Sequence, residues 1–510
     1  MRSCDSDMPT ILDRLDSTPL TVLHAFAALL CAVGFGIDLM EISIGNALSA
    51  VFSAPPYTLS PRPLAWLLSS VYVGAVIGAP LLGWAADRRG LRRTLMVTLL
   101  WLGLTSSLAA ASASPEWLTA FRFLSGVALG AYPPLMIAYL TAIAPPRYRG
   151  VVIFWVCGAA YLAPPVAIFM IRWMTPLHPF GIEGWRWPFA LAGLSALLVG
   201  VAFSRIPESA RWLLAMRRDV AAEEVCRRFQ NSRPIWGGAL EGPGRAEDVA
   251  LGNSVGGGAL GVAPEGSAGG GALGVAPEGW AGGGALGVSP GGSAGGGALG
   301  VSPRGSAGGG LIATPQRASG AQLKRRFAFV AALYFLHPWA VAAFPLLTGP
   351  ILLARGYNLT DTLLYIGLAT FGPAVSTLSV GPLVDRIERR VSLSLCCVLM
   401  LLAVVMFFTL DGPVVLTISV VAFGVGVALY SAVMTMYGAE LFPTSLRARV
   451  TSSAWAGNRI ASVLVPIVML PLLHQAGSLT VAVVTSLVLL ATMAFVVFCG
   501  PRGAAGGMVD

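Results

Sequence analysis

An acid or base inside a long apolar run is expensive to bury, so such residues are the first candidates for chemistry. Asp38 and Glu41 stand three apart in GIDLMEISIGNAL, and on a helix that spacing places them on one face. Arg122 opens the apolar run RFLSGVALG. Counting the helical rise of about 1.5 Å per residue puts all three at a similar depth, in the half of a membrane away from the basic loops. A carboxylate beside a mobile guanidinium takes up a proton when the guanidinium leaves and releases it on return, which is the switch that proton coupling needs. The plainer alternative is a static ion pair fixing two helices together. Arg459, with Asn458 before it, falls near the middle of another apolar run. A guanidinium there suits an anion, which it grips at two points. Pairing with Glu440 or with backbone carbonyls is the alternative. His337, in YFLHPW, could carry a proton near neutral pH, although a lone His beside Pro and aromatics is more often a packed group. Tyr334, Trp339, Tyr430, Tyr437 and Trp455 could stack on an aromatic ligand or simply fill the core.

The elements that must position these groups are membrane spans. Of 510 residues, 11% are charged and 55% hydrophobic, whereas a soluble domain carries about 25% charged residues. A spanning helix needs about 20 apolar residues. Stretches of that kind run near 22–50, 63–85, 91–112, 115–143, 150–172, 187–205, 327–353, 361–384, 391–410, 413–441, 450–473 and 478–499, which makes twelve. The net charge of +9 might suggest nucleic acid, but its placement excludes a basic stripe that could track a phosphate backbone. The basic residues cluster at Arg88, Arg89, Arg92 and Arg93, at Arg147 and Arg149, from Arg205 to Arg326, at Arg386, Arg389 and Arg390, and at Arg447 and Arg449. These are alternate loops, the positive-inside pattern. The expected topology is a multi-pass plasma-membrane protein with both termini cytoplasmic. The polar start MRSCDSDMPTILDRLDSTPL lacks the zones of a cleaved signal, so the first span is expected to serve as an uncleaved one. The 7 cysteines show no C-x-x-C spacing and read as buried inert thiols rather than metal ligands.

The chain also repeats itself. GWAADRRGLRR begins at Gly83 and GPLVDRIERR at Gly381, an offset of 298. YLTAIAPPRYRG and YGAELFPTSLRA carry Tyr139 onto Tyr437, Pro145 onto Pro443 and Arg149 onto Arg447 at the same offset of 298. Two motifs sharing one offset are the signature of an internal duplication. The expected divisions are a tail at 1–21, a six-helix bundle at 22–205, a loop at 206–326, a second bundle at 327–500 and a tail at 501–510. Within the loop, a unit like GGGALGVAPEGSA recurs with period 13 over 256–310. Its composition cannot offset the entropy of ordering, so it reads as a flexible tether. Its GGSAG run matches a hydrolase pattern only by chance, because no strand and helix flank it. Glu208 to Phe229 has helical spacing and mixed charge, and a single amphipathic helix on the membrane surface is expected.

A Gly-rich apolar helix end followed by Asp87, Arg88, Gly90, Arg92 and Arg93 resembles the G-x-x-x-D-R-x-G-x-R-R signature of the major facilitator superfamily. The second copy, Gly381, Asp385, Arg386, Arg389 and Arg390, repeats it with Glu388 at the Gly position. RFLSGVALG resembles the family's fourth-helix motif, and PESARWLL (Pro207 to Leu214) its segment after the sixth helix. The resemblance implies an all-α fold of twelve transmembrane helices in two six-helix bundles, with alternating access. It implies that helices one and four are neighbours lining a cavity, and that Asp38, matching the family's helix-one acid, is the coupling group opposite Arg122. The charged repeats, with Glu440, Arg149 and Arg447, are expected to form a cytoplasmic latch, against the alternative of simple positive-inside anchoring. PESARWLL is similar to sugar porters, but the P-E-T-x-G segment expected after helix twelve is replaced by CGPRGAAGGM, and Ala142 stands where Glu440 stands in the second half. GIDLMEISIGNAL, RFLSGVALG and AELFPTSLRA are more similar to metabolite–proton symporters, including those of aromatic and nicotinate-like acids.

The expectation is therefore a monomeric secondary transporter that takes up a small organic acid with protons from within the bilayer. No cofactor, metal or nucleic acid is expected. A sugar or polyol porter and a drug or organic-cation exporter are the alternatives, and a sensor that binds without transporting would keep the same cavity. A P-loop needs Gly-Lys-Ser or Gly-Lys-Thr, and the sole lysine, Lys324, lies between Leu323 and Arg325. A membrane enzyme would need clustered nucleophiles or ligands, and 4 scattered His supply none.

Overall fold

The computed structural model describes residues 10–235, 320–376, 387–442 and 444–501, with backbone alone at 320, 439, 444–449, 451 and 452. The repeats at 256–310, Gly381, Asp385, Arg386 and the side chain of Arg447 lie outside the described residues. Among the described residues the chain is helical apart from one isolated antiparallel bridge between Thr21 and Pro234.

A short α1 (Ile11–Ser17) precedes the first span. The first three crossings are α2 (Val22–Val51), α3 (Pro61–Arg89) and α4 (Leu91–Ala110). The fourth is α5 (Pro115–Leu129) with α6 (Tyr132–Ile143), and the fifth is α7 (Arg149–Ala160) with α8 (Ala163–Leu177). The sixth is α9 (Arg186–Ala202). The loop then holds α10 (Ala210–Ala215) and α11 (Asp219–Gln230). The second half opens with α12 (Gly320–Val341) and α13 (Ala343–Ala354), then α14 (Leu359–Ala369). It continues through α15 (Arg389–Thr409), α16 (Pro413–Glu440) and α17 (Thr444–Cys499). The last is two crossings that meet at Gly477, whose φ is 80°.

Ten stretches among the described residues are long and apolar enough to cross a membrane. The final one contains two crossings, and α14 opens the remaining one, so the architecture is twelve crossings in two halves. Leu29, Trp66, Leu198, Leu402 and Phe498 are exposed, which suits a lipid-facing exterior.

Three spans expected to be continuous are broken. The breaks fall beside Pro133–Pro134, Pro164–Pro165 and Pro345, because proline withholds an N–H and its ring crowds the preceding turn. The segment after the sixth span is also two helices rather than one, with Arg217 at φ 57° between them. Their apolar face is not laid on lipid. Ala222, Val225, Cys226 and Phe229 are buried, and the Phe229 ring packs at a tilt against His24, with centroids 4.3 Å apart. The expected N-terminal tail includes α1, started by a capping box between Thr10 and Asp13. The hydrogen bond from Thr10 holds the exposed Asp13 carboxyl below its usual range.

The two halves are fastened at the end opposite the termini. Ser49 donates to the Leu346 carbonyl at 2.6 Å, Ser69 to Val463 at 2.9 Å and Arg172 to Thr360 at 3.2 Å. These are all of the hydrogen bonds between halves among the described residues. At the same end Arg186 pairs with Glu183 at 2.8 Å and donates to the carbonyls of Ala110 and Ser112. Tyr57 donates to Glu183, and burial pushes the Tyr57 phenol up to about 12.

Candidate substrate and proton site

Helix packing sets the depth of Arg122. A Cβ on Gly126 or Gly130 of the fourth span would strike the backbone of Val71 or Ala75 on α3, and Gly74 and Gly78 of α3 meet Phe123 and Val127 in return. Small residues at this spacing let two backbones touch. Arg122, one turn before Gly126, is thereby held beside the second span, facing Glu41 of the first and Phe189 of the sixth.

Its partner is Glu41. Arg122 Nη1 lies 3.7 Å from Glu41 Oε2, with side chains 1% and 0% exposed. That is an ion pair, too long for a good hydrogen bond. Ser106 of α4 donates to the other Glu41 oxygen, and the guanidinium sits 5.7 Å over the Phe189 ring. The expected pairing of Arg122 with Asp38 is corrected here. Glu41, one carbon longer and three residues further along, reaches the Ser106–Arg122 side. Asp38 is 1% exposed, and its Oδ1 has no hydrogen-bond partner. The cation acting on Asp38 is Arg459 of the opposite half.

The second half brings its predicted residues together through neutral contacts. Asn458 Nδ2 donates to the Tyr334 carbonyl at 3.1 Å and meets His337 Nδ1 at 3.1 Å. His337 Nε2 lies 2.8 Å from Ser431 Oγ, which donates to Val427 at 2.8 Å. Since Asn458 offers N–H to Nδ1, the proton of this neutral imidazole belongs on Nε2, facing Ser431. The ring stacks on Tyr430 at 5.7 Å. Tyr334 meets Trp455 edge-on at 5.5 Å, and Arg459 lies 5.8 Å over Trp455. Trp339 is half-buried against the core.

Tyr437 does not belong to this group. Its hydroxyl donates to the Pro501 carbonyl at 2.5 Å, and its ring meets Phe329 edge-on at 5.8 Å. It closes the terminal end of the second half, so its expected role at the substrate is withdrawn. Glu440 is likewise no partner of Arg459, because it pairs with Arg389 at 3.0 Å.

The charged repeat is arranged differently from the expected latch. Among the described residues the Asp87 carboxylate has no ion-pair partner, and its backbone carbonyl accepts from Trp212 at 3.1 Å. Arg88 lies over Trp84 at 4.3 Å. The acid that organises this corner is Glu208, which accepts from the backbone N–H groups of Arg92 at 2.9 Å and Arg93 at 3.4 Å. It thus caps the positive end of α4. Gly90, at φ 101°, makes room for it, since a Cβ there would collide with the Glu208 carboxylate. Gly83 has nothing within 4 Å of such a Cβ. Arg92 also donates to Ile206 at 3.0 Å. Arg149 pairs with Asp16 at 3.6 Å, and Arg211 pairs with the same acid. In the second half Arg390 pairs with Glu388 at 2.9 Å.

Sequence reasoning missed three contributors. Ser106 was signalled by the hydroxyl run Thr105-Ser106-Ser107 inside an apolar span. Tyr72, which lies within electrostatic reach of both Arg122 and Arg459, carried no distinguishing signal. Glu208 stood in a noted motif without a role.

The Major Facilitator Superfamily profile matches residues 25–466, and the chain belongs to that superfamily, a family of transporters rather than enzymes. A niacin transporter of Acinetobacter baylyi is 27% identical over 225 residues, covering 43% of this chain and 49% of that protein. The galactose–proton symporter of Escherichia coli is 29% identical over 214 residues, covering 42% and 44%. The chain thus matches about half the length of these curated relatives. The xylose transporter XylE of E. coli, in a partially occluded inward-open conformation, superposes with a TM-score of 0.63 at 15% identity, over 94% of this chain and 97% of that one. That likeness carries the fold.

Proposed function

We propose that the protein is a proton-coupled secondary transporter that takes up a small organic acid, aromatic or nicotinate-like, by alternating access between its halves. The carrying observation is the position of Arg459. The guanidinium lies over Trp455, within electrostatic reach of Asp38 and Tyr72 of the first half, with no carboxylate in ion-pair contact among the described residues. A free guanidinium beside an aromatic ring suits an aromatic carboxylate, one end gripped and the other stacked. Asn458, His337 and Tyr430 form the adjoining wall, and Trp339 packs beyond it. Asp38, Glu41 and Arg122 form the proton-handling side. The arginine-rich loops and termini face the cytoplasm of a plasma membrane, by the positive-inside rule, and the unit of function is the monomer. The charged corners at Gly83, Asp87, Arg88, Gly90, Arg92, Arg93 and Arg149, and at Gly381, Asp385, Arg386, Arg389, Arg390, Glu440 and Arg447, steady the cytoplasmic gate. A relative named a niacin transporter supports the acid. Relatives named galactose– and arabinose–proton symporters favour a sugar porter as the second reading.

A thermal-shift comparison of purified wild type and Arg459→Gln separates the two. A ligand that binds only the folded state stabilises it by about 2.7 kcal/mol at a hundredfold excess over Kd. Nicotinate or benzoate is expected to raise the wild-type midpoint and leave Arg459→Gln unmoved. Equal shifts of both proteins by galactose or xylose alone would overturn the acid.

A further inference from the structure

The first span begins with a buried histidine, well away from the buried acids. His24 lies in the first turn of α2 and is 3% exposed, and both of its ring nitrogens are taken. The Ile143 carbonyl, 3.2 Å from Nε2, can only accept, so Nε2 carries the proton. Nδ1 then accepts from the Thr21 backbone N–H at 3.2 Å and meets the Thr21 hydroxyl at 2.9 Å, as the acceptor nitrogen of a neutral imidazole. The ring thereby caps α2, ties it to the end of the fourth span and seats Phe229 of α11. Beside it, the chain entering the span runs against the chain leaving α11. Val22 donates to the carbonyl of the exposed Arg233 and Ile235 to that of Leu20, each at 2.9 Å, and Leu23 donates to Ser232 Oγ at 3.2 Å. The tail helix α1 lies on α11 in turn. Arg14 pairs with Glu223 at 2.7 Å, and the buried Cys226 thiol donates to the Ile11 carbonyl at 3.8 Å. The titratable groups on the elements packed here are engaged elsewhere. Tyr139 of α6 donates to the Pro207 carbonyl at 2.7 Å, and Asp16 of α1 pairs with Arg149 of α7 and Arg211 of α10. Among the described residues no charged side chain bonds to the ring.

We propose that His24 is the pin of an acid-released clasp. When the face bearing the termini turns acidic, the ring takes one proton, and α1 and α11 lift from the ends of the first and fourth spans. The proton goes to Nδ1, the nitrogen with the free lone pair, and no other covalent bond changes. Nδ1 becomes a donor aimed at the Thr21 N–H, which loses its acceptor. The Thr21 hydroxyl can turn to accept, but the backbone cannot. An imidazolium left in place is a buried charge with no anion beside it, which is strongly unfavourable. Protonation therefore favours the state in which the ring has swung out into water. The seat of Phe229 leaves with it, and Phe229 belongs to the apolar face that holds α11. Arg149, at the start of the fifth span, is then no longer tied through Asp16 to the tail. The clasp joins the two spans that carry Glu41 and Arg122, so its release loosens the helices on which that pair is mounted.

The test is the reactivity of Cys226 toward dithiodipyridine, a reagent that attacks thiols in acid as well as in neutral solution. It is run on the full-length protein in nanodiscs, with both faces in one buffer. The exposed Cys499 is read in the same sample by peptide mass spectrometry, and the ratio of the two thiols removes the pH dependence of the reagent. No ligand is added, so failure here leaves the organic-acid reading untouched. For wild type the ratio is expected to rise as the buffer is taken from about pH 8 to about pH 5, the range in which histidine gains its charge. The slope approaches about tenfold per pH unit, that of an opening linked to one proton. His24→Gln can accept from Thr21 and donate to Ile143 without titrating, and should stay protected throughout. A variant already open in neutral buffer would also mark the ring as the pin, with the wild-type slope deciding the rest. A wild-type ratio that stays low at every pH would overturn the inference, and that arm needs no variant to fold. So would a His24→Gln protein that opens in acid as wild type does, since the acid-sensitive groups would then be the carboxylates of Asp16 and Glu223.

Discussion

The two halves share a scaffold and a charged motif, but they keep their charges in different places. In the first half a buried acid and base face each other across the spans, Glu41 and Arg122. In the second half the equivalent depth is held by neutral partners, Ser431, His337 and Asn458. At the terminal end the contrast reverses in detail. Gly90 admits Glu208, an acid from beyond the sixth span. At the matching position the second half carries its own acid, Glu388, which pairs with Arg390. A duplicated sequence therefore fixed the backbone twice, but each copy neutralises its arginines from a different source.

The largest expected effect comes from breaking the buried pair. Glu41→Gln or Arg122→Gln leaves one charge buried without its partner, and removal of one member of such a pair costs about 3–5 kcal/mol. The double variant removes both charges and should recover much of that loss. Chemical unfolding of the reconstituted protein measures all three. If both single variants unfold like wild type, the pair is not a dry ion pair, and the contrast between the halves loses its main term.

An intermediate effect is expected at the motif glycines. Gly90→Ala places a Cβ at φ 101°, against the Glu208 carboxylate, and strain of that kind costs about 1–3 kcal/mol. Gly83→Ala meets open space within a helix and should be neutral or stabilising by up to about 1 kcal/mol. Similar losses at both sites would mean that the motif acts through helix flexibility and not through the Glu208 cap.

The span count and the duplication were legible because apolar length and a constant offset need no knowledge of contacts. Asp38, Arg122 and Arg459 were legible as candidates for a similar reason: a charge in an apolar run is conspicuous whatever it touches. Their pairing was not. Which of two acids three residues apart meets Arg122 depends on side-chain reach and on Ser106 arriving from a third helix. Tyr437 was misplaced for a related reason. Its aromatic character matched Tyr430, two turns earlier on α16, but depth along the span puts it beside Pro501 and not beside Arg459. The α1 capping box, Thr10 with Asp13, was readable and went unread. The kinks at Pro133–Pro134, Pro164–Pro165 and Pro345 carried their signal openly, but apolar length alone does not register it.

The smallest effect should come from Glu440, and it tests whether the two charged corners differ in weight as well as in wiring. Arg389 and Glu440 meet at 3.0 Å with side chains 15% and 35% exposed, so water screens the pair, and pairs of this type contribute about 0–1 kcal/mol. Glu440→Gln should therefore shift stability by no more than that, and less at high salt. Glu208→Gln, which weakens acceptance from two backbone N–H groups at the start of α4, should cost more, about 0.5–2 kcal/mol. Measured side by side at low and high salt, a larger and salt-sensitive loss for Glu440→Gln would show that the second corner bears on the folded state as heavily as the first. The asymmetry between the halves would then be confined to the buried Glu41–Arg122 pair.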